Sequence, residues 1–277
     1  MPNGFNQNIK VLIDNKLRAI KEIDNVKCFE KQTLHDIRFK PLHNSRTRHY
    51  IVCKCTRNQN WLLSDRNTVS KIRTGDRILI KPSVISKDND DYKDGFVHGL
   101  IFADGTDFHS NTCRIQLFGW KEYYRELLES SQYYDRTNSY KQLIVLVDTN
   151  NFKLVPSDKN LEYCQGFFDG VKCFDGNHRS DGFNRVGNTD LNFVKFVSEY
   201  SGILDYIMTG HNITQPRYGG IVNGRPIFGK KPYHEISFQR GIPIEHIVTS
   251  IYENEMEEQI YFPEVNNFRI QNGIEIY

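Results

Sequence analysis

Two related stretches decide the fold: VHGLIFADG at residues 97–105 and CQGFFDGVK at residues 164–172. Each places a glycine early in an apolar stretch and an Asp-Gly pair at or near the end. Small residues let two helix backbones approach closely, so the pair predicts two helices packed side by side. Carboxylates at the ends of such helices converge on one point and suit Mg²⁺, a cation that prefers oxygen ligands. The alternative is two buried helices that end in ordinary Asp-Gly turns.

The composition allows a folded protein but does not select its partner. Apolar residues make up 38% of the 277 residues and charged residues 25%, which is enough for a buried core and a solvated surface. The net charge of +2 neither requires nor excludes nucleic acid. No apolar run approaches the length of a membrane span, and residues 1–10 lack the apolar stretch of a signal peptide. We therefore expect no membrane partner and a cytoplasmic or nucleoid-associated location.

The order of apolar and turn-forming segments predicts an α+β protein with two domains. Residues 1–90 and 213–277 contain short apolar runs separated by turns, a pattern typical of an all-β domain. Residues 91–212 repeat the order helix, strand, strand, helix. We expect an all-β domain that is interrupted by a pseudo-symmetric αββαββα domain.

The two decisive stretches resemble the LAGLIDADG motif of homing endonucleases. Residues 97–105 match the motif by residue class in seven of nine places, and residues 164–172 match it less well. In the family the eighth residue is the catalytic, metal-binding acid, which implies Asp104 in the first copy. The eighth place of the second copy is Val171, which cannot bind metal, so Asp169 is the candidate for the second acid. FKLVP at residues 152–156 resembles the Lys-x-x-Pro block of the family and implies that Lys153 lies near the scissile phosphates.

The resemblance also implies a DNA-binding surface. In the family the strands that follow each motif helix contact DNA, and here such strands would carry side chains able to bond base edges and phosphates. The candidate DNA-binding residues are His109, Asn111, Arg114, Gln116, His178, Arg179 and Arg185.

The outer β-rich segments resemble the Hint fold of inteins, most closely at residues 247–251, 259–265 and 272–274. In this alignment Gly4 stands at the place of the splicing nucleophile. Gln59 stands at the place of the assisting histidine and Tyr277 at that of the penultimate histidine. The resemblance therefore implies a Hint-like domain that has lost splicing.

Together the resemblances imply an intein-derived homing endonuclease, a product of a mobile genetic element. We expect it to hydrolyse phosphodiester bonds of double-stranded DNA with Mg²⁺, as a monomer with internal pseudo-two-fold symmetry. Loss of the second acid predicts nicking of one strand. Two alternatives remain open at this point: a self-splicing intein with inactivating substitutions, and a DNA-binding protein that does not cleave.

Overall fold

A computed structural model divides the chain into two compact units. It describes residues 4–42, 50–109, 112–117, 119–128, 142–146, 152–178, 184–216, 218–222, 225–241, 243–264 and 268–276. The first unit comprises Met1–Val84, Val197–Asn212 and Ile236–Tyr277, and the second comprises Ile85–Phe196 and Ile213–Glu235.

The chain is mixed α/β and consists mostly of strands. The strands are β1 (Phe5–Asn6), β2 (Lys10–Ile13), β3 (Lys16–Ala19), β4 (Val26–Pro41), β5 (Ile51–Cys55), β6 (Trp61–Leu62), β7 (Thr68–Val69), β8 (Arg77–Ile80), β9 (Thr106–His109), β10 (Thr112–Gln116), β11 (Gln142–Leu146), β12 (Gly176–His178), β13 (Asn184–Asn188), β14 (Ile207–Thr214), β15 (Tyr218–Val222), β16 (Arg225–Phe228), β17 (Tyr233–Gln239), β18 (Ile244–Pro263), β19 (Phe268–Ile270) and β20 (Ile274–Ile276). The α-helices are α1 (Asp90–Asp104), α2 (Arg125–Leu128), α3 (Leu161–Asp175) and α4 (Leu191–Tyr200), and 3₁₀ turns cover Ile20–Glu22, Gly119–Tyr124 and Gln271–Gly273.

The first unit interleaves segments from both ends of the chain. β1 pairs with β18, β2 pairs with β19, and β6 pairs with β20, all antiparallel. Two sheets result, in the orders β1-β5-β4-β18-β8 and β3-β2-β19-β20-β6-β7. Their apolar side chains form one core that includes Phe5, Phe39 and Trp61. The relation of this unit to the Hint fold stays a prediction.

The unit boundaries differ from those expected from the sequence, which were 1–90 plus 213–277 and 91–212. Residues 197–212 belong to the first unit, because Ile207 enters its core and Gly202 packs against the Asn272 backbone. Residues 213–235 belong to the second unit, where Tyr233 packs against Gly187. These long-range contacts leave no local signal in the sequence.

In the second unit, α1 and α3 are built alike. Asn89 and Asn160 cap their N-termini, since each side-chain oxygen accepts a hydrogen bond from a backbone N–H two or three residues on. Each helix ends at an aspartate, Asp104 or Asp175, and a glycine follows. Each is succeeded by an antiparallel pair, β9 with β10 and β12 with β13. β11 extends the first pair and β17 the second. Among the described residues, no helix has the length and apolar content needed to cross a membrane.

Four glycines bring the backbones of α1 and α3 into contact. A β-carbon at Gly95 would collide with the Tyr163 carbonyl, and one at Gly166 would collide with the Tyr92 carbonyl. Gly99 and Gly170 make the same reciprocal approach to the carbonyls of residues 167 and 96. Every equivalent pair is 71 residues apart (166 minus 95), so the two helices contact each other reciprocally.

Substitution at this contact tests whether the close approach holds the unit together. We expect Gly99→Ala to lower the local stability of α1 and α3 by about 1–3 kcal/mol or more, because the added carbon has only rigid backbone to displace. Asp94→Ala, at an exposed position of the same helix, should stay within about 0.5 kcal/mol of the wild type. Hydrogen exchange of the helix amides measures both. Equal effects of the two substitutions would contradict the close packing.

Candidate active site

Asp104 is the last residue of α1, and Asp175 is the last residue of α3. The two acids occupy equivalent places, since Gly105 follows Asp104 directly before β9 and Gly176 follows Asp175 as the first residue of β12. Burial, which is the larger cause, and the neighbouring Asp104 carboxyl together raise the pKa of Asp175 to about 6. The Asp104 carboxyl therefore lies close enough to Asp175 to act on the titration of Asp175.

Two lysines reach the acid pair from outside the helices. Lys121 Nζ lies 2.5 Å from Asp104 Oδ2 and 4.5 Å from the ring centre of Phe174, beside Asp175. Lys153 Nζ donates to the Phe102 carbonyl oxygen in the last turn of α1, at 2.5 Å. Both lysines act to lower the pKa of Asp175, against the larger effect of burial. The structure therefore brings Lys153, predicted from sequence, to the acid pair together with Lys121, which the sequence analysis missed.

A polar cleft opens beside Asp175. Its volume is about 450 Å³, and it is lined by Phe102, Ala103, Lys153, Asp175, Gly187, Asn188, Thr189, Asp190 and Tyr233. Tyr233 lies across Gly187, where any β-carbon would overlap the phenol. Burial, Glu235 and then Asp175 raise the pKa of this phenol, so it keeps its proton and can donate a hydrogen bond. The cleft thus combines two carboxyl groups, those of Asp175 and Asp190, with an amine and a neutral phenol hydroxyl.

The electrostatics of the site favour a cation. The C-terminus of a helix carries a partial negative charge, and here two helix ends each add a carboxylate at the same place. Mg²⁺ in proteins is commonly held by one or two carboxylates and keeps several waters, so Asp104 and Asp175 fit such a cation. Within the described part of the chain, no group of three or more His, Cys, Asp or Glu side chains is placed to hold a metal ion. Two carboxylates are a ligand set that suits a cation which keeps several of its waters.

The second acid predicted from sequence, Asp169, lies elsewhere. It is 6% exposed, accepts a hydrogen bond from the Tyr92 hydroxyl at 2.8 Å and lies 3.5 Å from Lys87 Nζ. Its equivalent in α1 is His98, whose Nδ1 lies 3.1 Å from the Tyr163 hydroxyl. These reciprocal polar contacts join the helices, and Asp169 sits about 9 Å along the helix axis from Asp175.

Val171 occupies the place of the second catalytic acid when residues 164–172 are aligned with the motif. Val171 is fully buried, and its backbone nitrogen lies at the contact with Gly99. It is therefore part of the helix packing. The matching stretch is FDGVKCFDG at residues 168–176, in which Gly170 and Asp175 have the spacing of Gly99 and Asp104. Two Asp-Gly pairs follow each other here: the prediction from sequence rests on the first, and α3 ends at the second.

The candidate DNA-binding residues fall into three groups. Arg114 and Gln116 alternate along β10 with the buried Cys113, Ile115 and Leu117, so they lie on the sheet face away from that core. Arg185 on β13 forms an ion pair of 2.9 Å with Glu235. His109 and His178 end β9 and β12, but their side chains lie outside the described residues, as do Asn111 and Arg179 altogether.

The residues aligned with splicing positions meet in the first unit. The Gly4 N–H donates to Thr56 Oγ1 at 2.9 Å, and the Thr56 N–H donates to the Gly4 carbonyl at 2.8 Å. Gln59 is fully buried in the same turn. Gly4 has no side chain to act as a nucleophile, and a glutamine amide does not exchange protons as histidine does. Tyr277 lies outside the described residues.

Neither a protein-family model nor a curated protein sequence matches the chain. The N-terminal LAGLIDADG domain of DUF199/WhiA is a structural neighbour with a TM-score of 0.35 and 11% identity, over 56% of this chain and 77% of that one. A variant of the homing endonuclease I-DmoI, in complex with its target DNA and with manganese, has a TM-score of 0.34 and 14% identity over 54% and 87%. Mesophilic variants of I-DmoI give the same TM-score and identity over 54% and 89%.

The titration of Asp175 tests the coupling between the two acids. We expect Asp104→Asn to lower the pKa of Asp175 from its value of about 6, since a neighbouring negative charge is removed. Lys153→Met should raise it, because a nearby positive charge is lost. Carbon-13 NMR of the aspartate carboxyl carbons measures both shifts. Shifts of the same sign in the two variants would contradict the assignment.

The raised pKa of Asp175 also predicts how stability depends on pH. Because this acid has a raised pKa when folded, its contribution to the stability of the fold is present below about pH 4 and is lost as the pH rises through about 6.

Proposed function

We propose that the second unit is the catalytic domain of a DNA endonuclease of the homing type, which hydrolyses phosphodiester bonds of double-stranded DNA with a divalent cation such as Mg²⁺. The observation that carries the proposal is the acid pair, Asp104 and Asp175, at equivalent ends of two helices joined by reciprocal glycine contacts. One chain supplies both acids, which supports action as a monomer with internal pseudo-two-fold symmetry.

Asp104 and Asp175 would hold the cation, and a divalent cation bound there would activate water and neutralise charge on the phosphodiester oxygens. Only the deprotonated carboxyl binds a cation, so the affinity for metal should rise with pH through the range in which Asp175 titrates. Lys121 and Lys153 supply positive charge beside the position of a phosphate group. The hydroxyl of Tyr233 would donate to a phosphate oxygen in the cleft.

The presence of Asp175 alters the expected pattern of cleavage. Nicking was expected because the second copy of the motif lacked an acid at Val171. With an acid at the end of each helix, each half of the site has its own carboxylate. We therefore propose that both strands are cut.

A second candidate is a DNA-binding protein that does not cleave. The ion pair between Lys121 and Asp104 favours it, because the amine already neutralises one of the two acids. A cleavage assay with Mg²⁺ separates the two candidates, since a protein of this kind would bind duplex DNA without cutting it.

The intein origin of the first unit is also a proposal. It is supported by the interleaving of segments from both ends of the chain and by the contact of Gly4 with Thr56. In this proposal the unit is a splicing domain that has lost its nucleophile and assisting histidine, retained beside the catalytic unit.

Substitution of the two acids tests the proposed catalysis. We expect Asp104→Asn and Asp175→Asn each to lower the cleavage rate by orders of magnitude, because the cation loses a ligand. Affinity for DNA should change little, since it comes mainly from phosphate contacts. Cleavage of plasmid DNA with Mg²⁺ and binding of labelled duplex DNA measure the two effects.

The matched control is Asp169→Asn, which removes a buried carboxylate of the same helix away from the acid pair. Its oxygen can still accept the hydrogen bond from Tyr92, so cleavage should persist. Cleavage by Asp175→Asn at the wild-type rate would rule out the proposed site. Loss of cleavage in Asp169→Asn alone would restore the assignment made from sequence.

Removal of a single hydroxyl tests the role of Tyr233. We expect Tyr233→Phe to lower the rate of cleavage about 10- to 100-fold at saturating DNA while the melting temperature stays unchanged, because the ring still covers Gly187. Single-turnover cleavage and thermal denaturation measure the two quantities. An unchanged rate would show that this hydroxyl does not contact the substrate.

A further inference from the structure

A second cavity lies in the first unit, where the two long strands β4 and β18 lose their register. The two strands pair antiparallel, but the register shifts between Glu253 and Glu257 of β18. Residues 254–256 there stand against a single residue of β4, Leu34. A bulge bends its strand and leaves part of the ladder unpaired, and bulges are over-represented beside active sites. Here the bulge borders a cavity of about 420 Å³, a volume within the range of small-molecule sites.

Hydrogen-bond donors without a partner stand on the inner side of this cavity. Arg57 and His35 line it together with the buried Thr56. Arg57 Nη1 and His35 Nδ1 are both buried, and neither has a hydrogen-bond partner among the residues that the structure describes. Burial and then the nearby charge of Arg57 lower the pKa of His35, so the imidazole is neutral near pH 7. A buried guanidinium N–H without an acceptor is costly, and an oxyanion is the acceptor that matches its geometry.

Carboxylates stand at the mouth of the same cavity. Glu253 and Glu257 line it from β18, and both are exposed, Glu253 over 71% of its side chain, whereas His35 is 15% exposed. Lys31, also exposed, brings the formal charge of the lining to zero, since Lys31 and Arg57 supply +2 and the two glutamates −2. The inner side therefore carries +1 from Arg57, and the mouth carries a net −1. Charge that is separated by depth in this way is complementary to a zwitterion.

We propose that this cavity binds a small zwitterionic molecule, whose carboxylate or phosphoryl group lies against Arg57 and whose ammonium group faces Glu253 and Glu257. Both oxyanions accept two parallel N–H bonds from a guanidinium, so they share the recognition chemistry. The first unit would then have a binding function of its own. This inference does not rest on DNA cleavage, because every residue that lines the cavity belongs to the first unit.

Titration of the intact protein with matched pairs of small molecules tests the site. O-phosphoethanolamine and 4-aminobutyrate each carry an ammonium group and an oxyanion, whereas ethyl phosphate and butyrate lack the ammonium group. We expect at least one zwitterion to bind saturably near neutral pH, about 10-fold or more tightly than its amine-free counterpart, because the carboxylates at the mouth gain a partner. NMR shifts of the His35 ring measure the binding. The zwitterion that binds more tightly identifies the oxyanion as phosphoryl or carboxylate.

Two arginine variants give a matched comparison. Arg57→Gln should weaken the binding of the zwitterion about 10-fold or more, because the guanidinium contact with the oxyanion is lost. Arg38→Gln removes the same charge from the same unit. Arg38 is three residues from His35 in β4 and so points to the opposite face, where its guanidinium lies 4.9 Å from the centre of the Tyr252 ring. We therefore expect this control to leave the affinity unchanged.

A third variant tests the mouth of the cavity and keeps the inference testable if Arg57→Gln folds poorly. Glu257 is exposed, so Glu257→Gln should leave the fold intact. We expect it to reduce the preference for the zwitterion over the amine-free counterpart. An unchanged preference in this variant, an unchanged affinity in Arg57→Gln, or equal losses in the two arginine variants would overturn the site. Absence of saturable binding of either zwitterion by the wild type would also overturn it.

Discussion

The structure of the second unit depends on the close approach of α1 and α3. Four glycines allow each backbone to contact the other, and no larger side chain fits at these positions. Because the contact is reciprocal, it fixes the ends of both helices at the same level. Asp104 and Asp175 are neighbours only as a consequence, and the cleft beside them exists only while the helices stay in this register.

The same constraint separates two kinds of polar residue on these helices. Tyr92 with Asp169 and Tyr163 with His98 make reciprocal bonds across the contact and are largely enclosed. Asp104 and Asp175 are the last residues of their helices, where the negative ends of two helix dipoles make it electrostatically costly to hold two carboxylates. Lys121 and Lys153 offset part of that cost. A site that holds both carboxylates and amines is suited to bind a cation through the carboxylates and a phosphate through the amines.

The two units combine segments that are distant in the chain. Strand pairing joins both ends of the sequence within the first unit. Residues 197–212 also belong to the first unit, and residues 213–235, which follow them, belong to the second. Residues 213–235 supply Tyr233 to the cleft and contain the β15–β16 ribbon. The proposed catalytic unit therefore depends on residues that a division by sequence assigned to the other domain.

The sequence by itself determined the two glycine-containing helices and the order of a β-rich unit around an α/β unit, since helical spacing and turn residues are local signals. Asp104 and Lys153 were candidates from the family resemblance, and their catalytic roles stay predictions. It did not determine the second acid, because two Asp-Gly pairs follow each other within residues 169–176 and both satisfy a local pattern. Only the packing of α3 against α1 decided that Asp169 is enclosed and that Asp175 ends the helix beside Asp104. Lys121 and Tyr233 reach the site through tertiary contacts alone, because such contacts join residues whose separation in the chain carries no periodic signal.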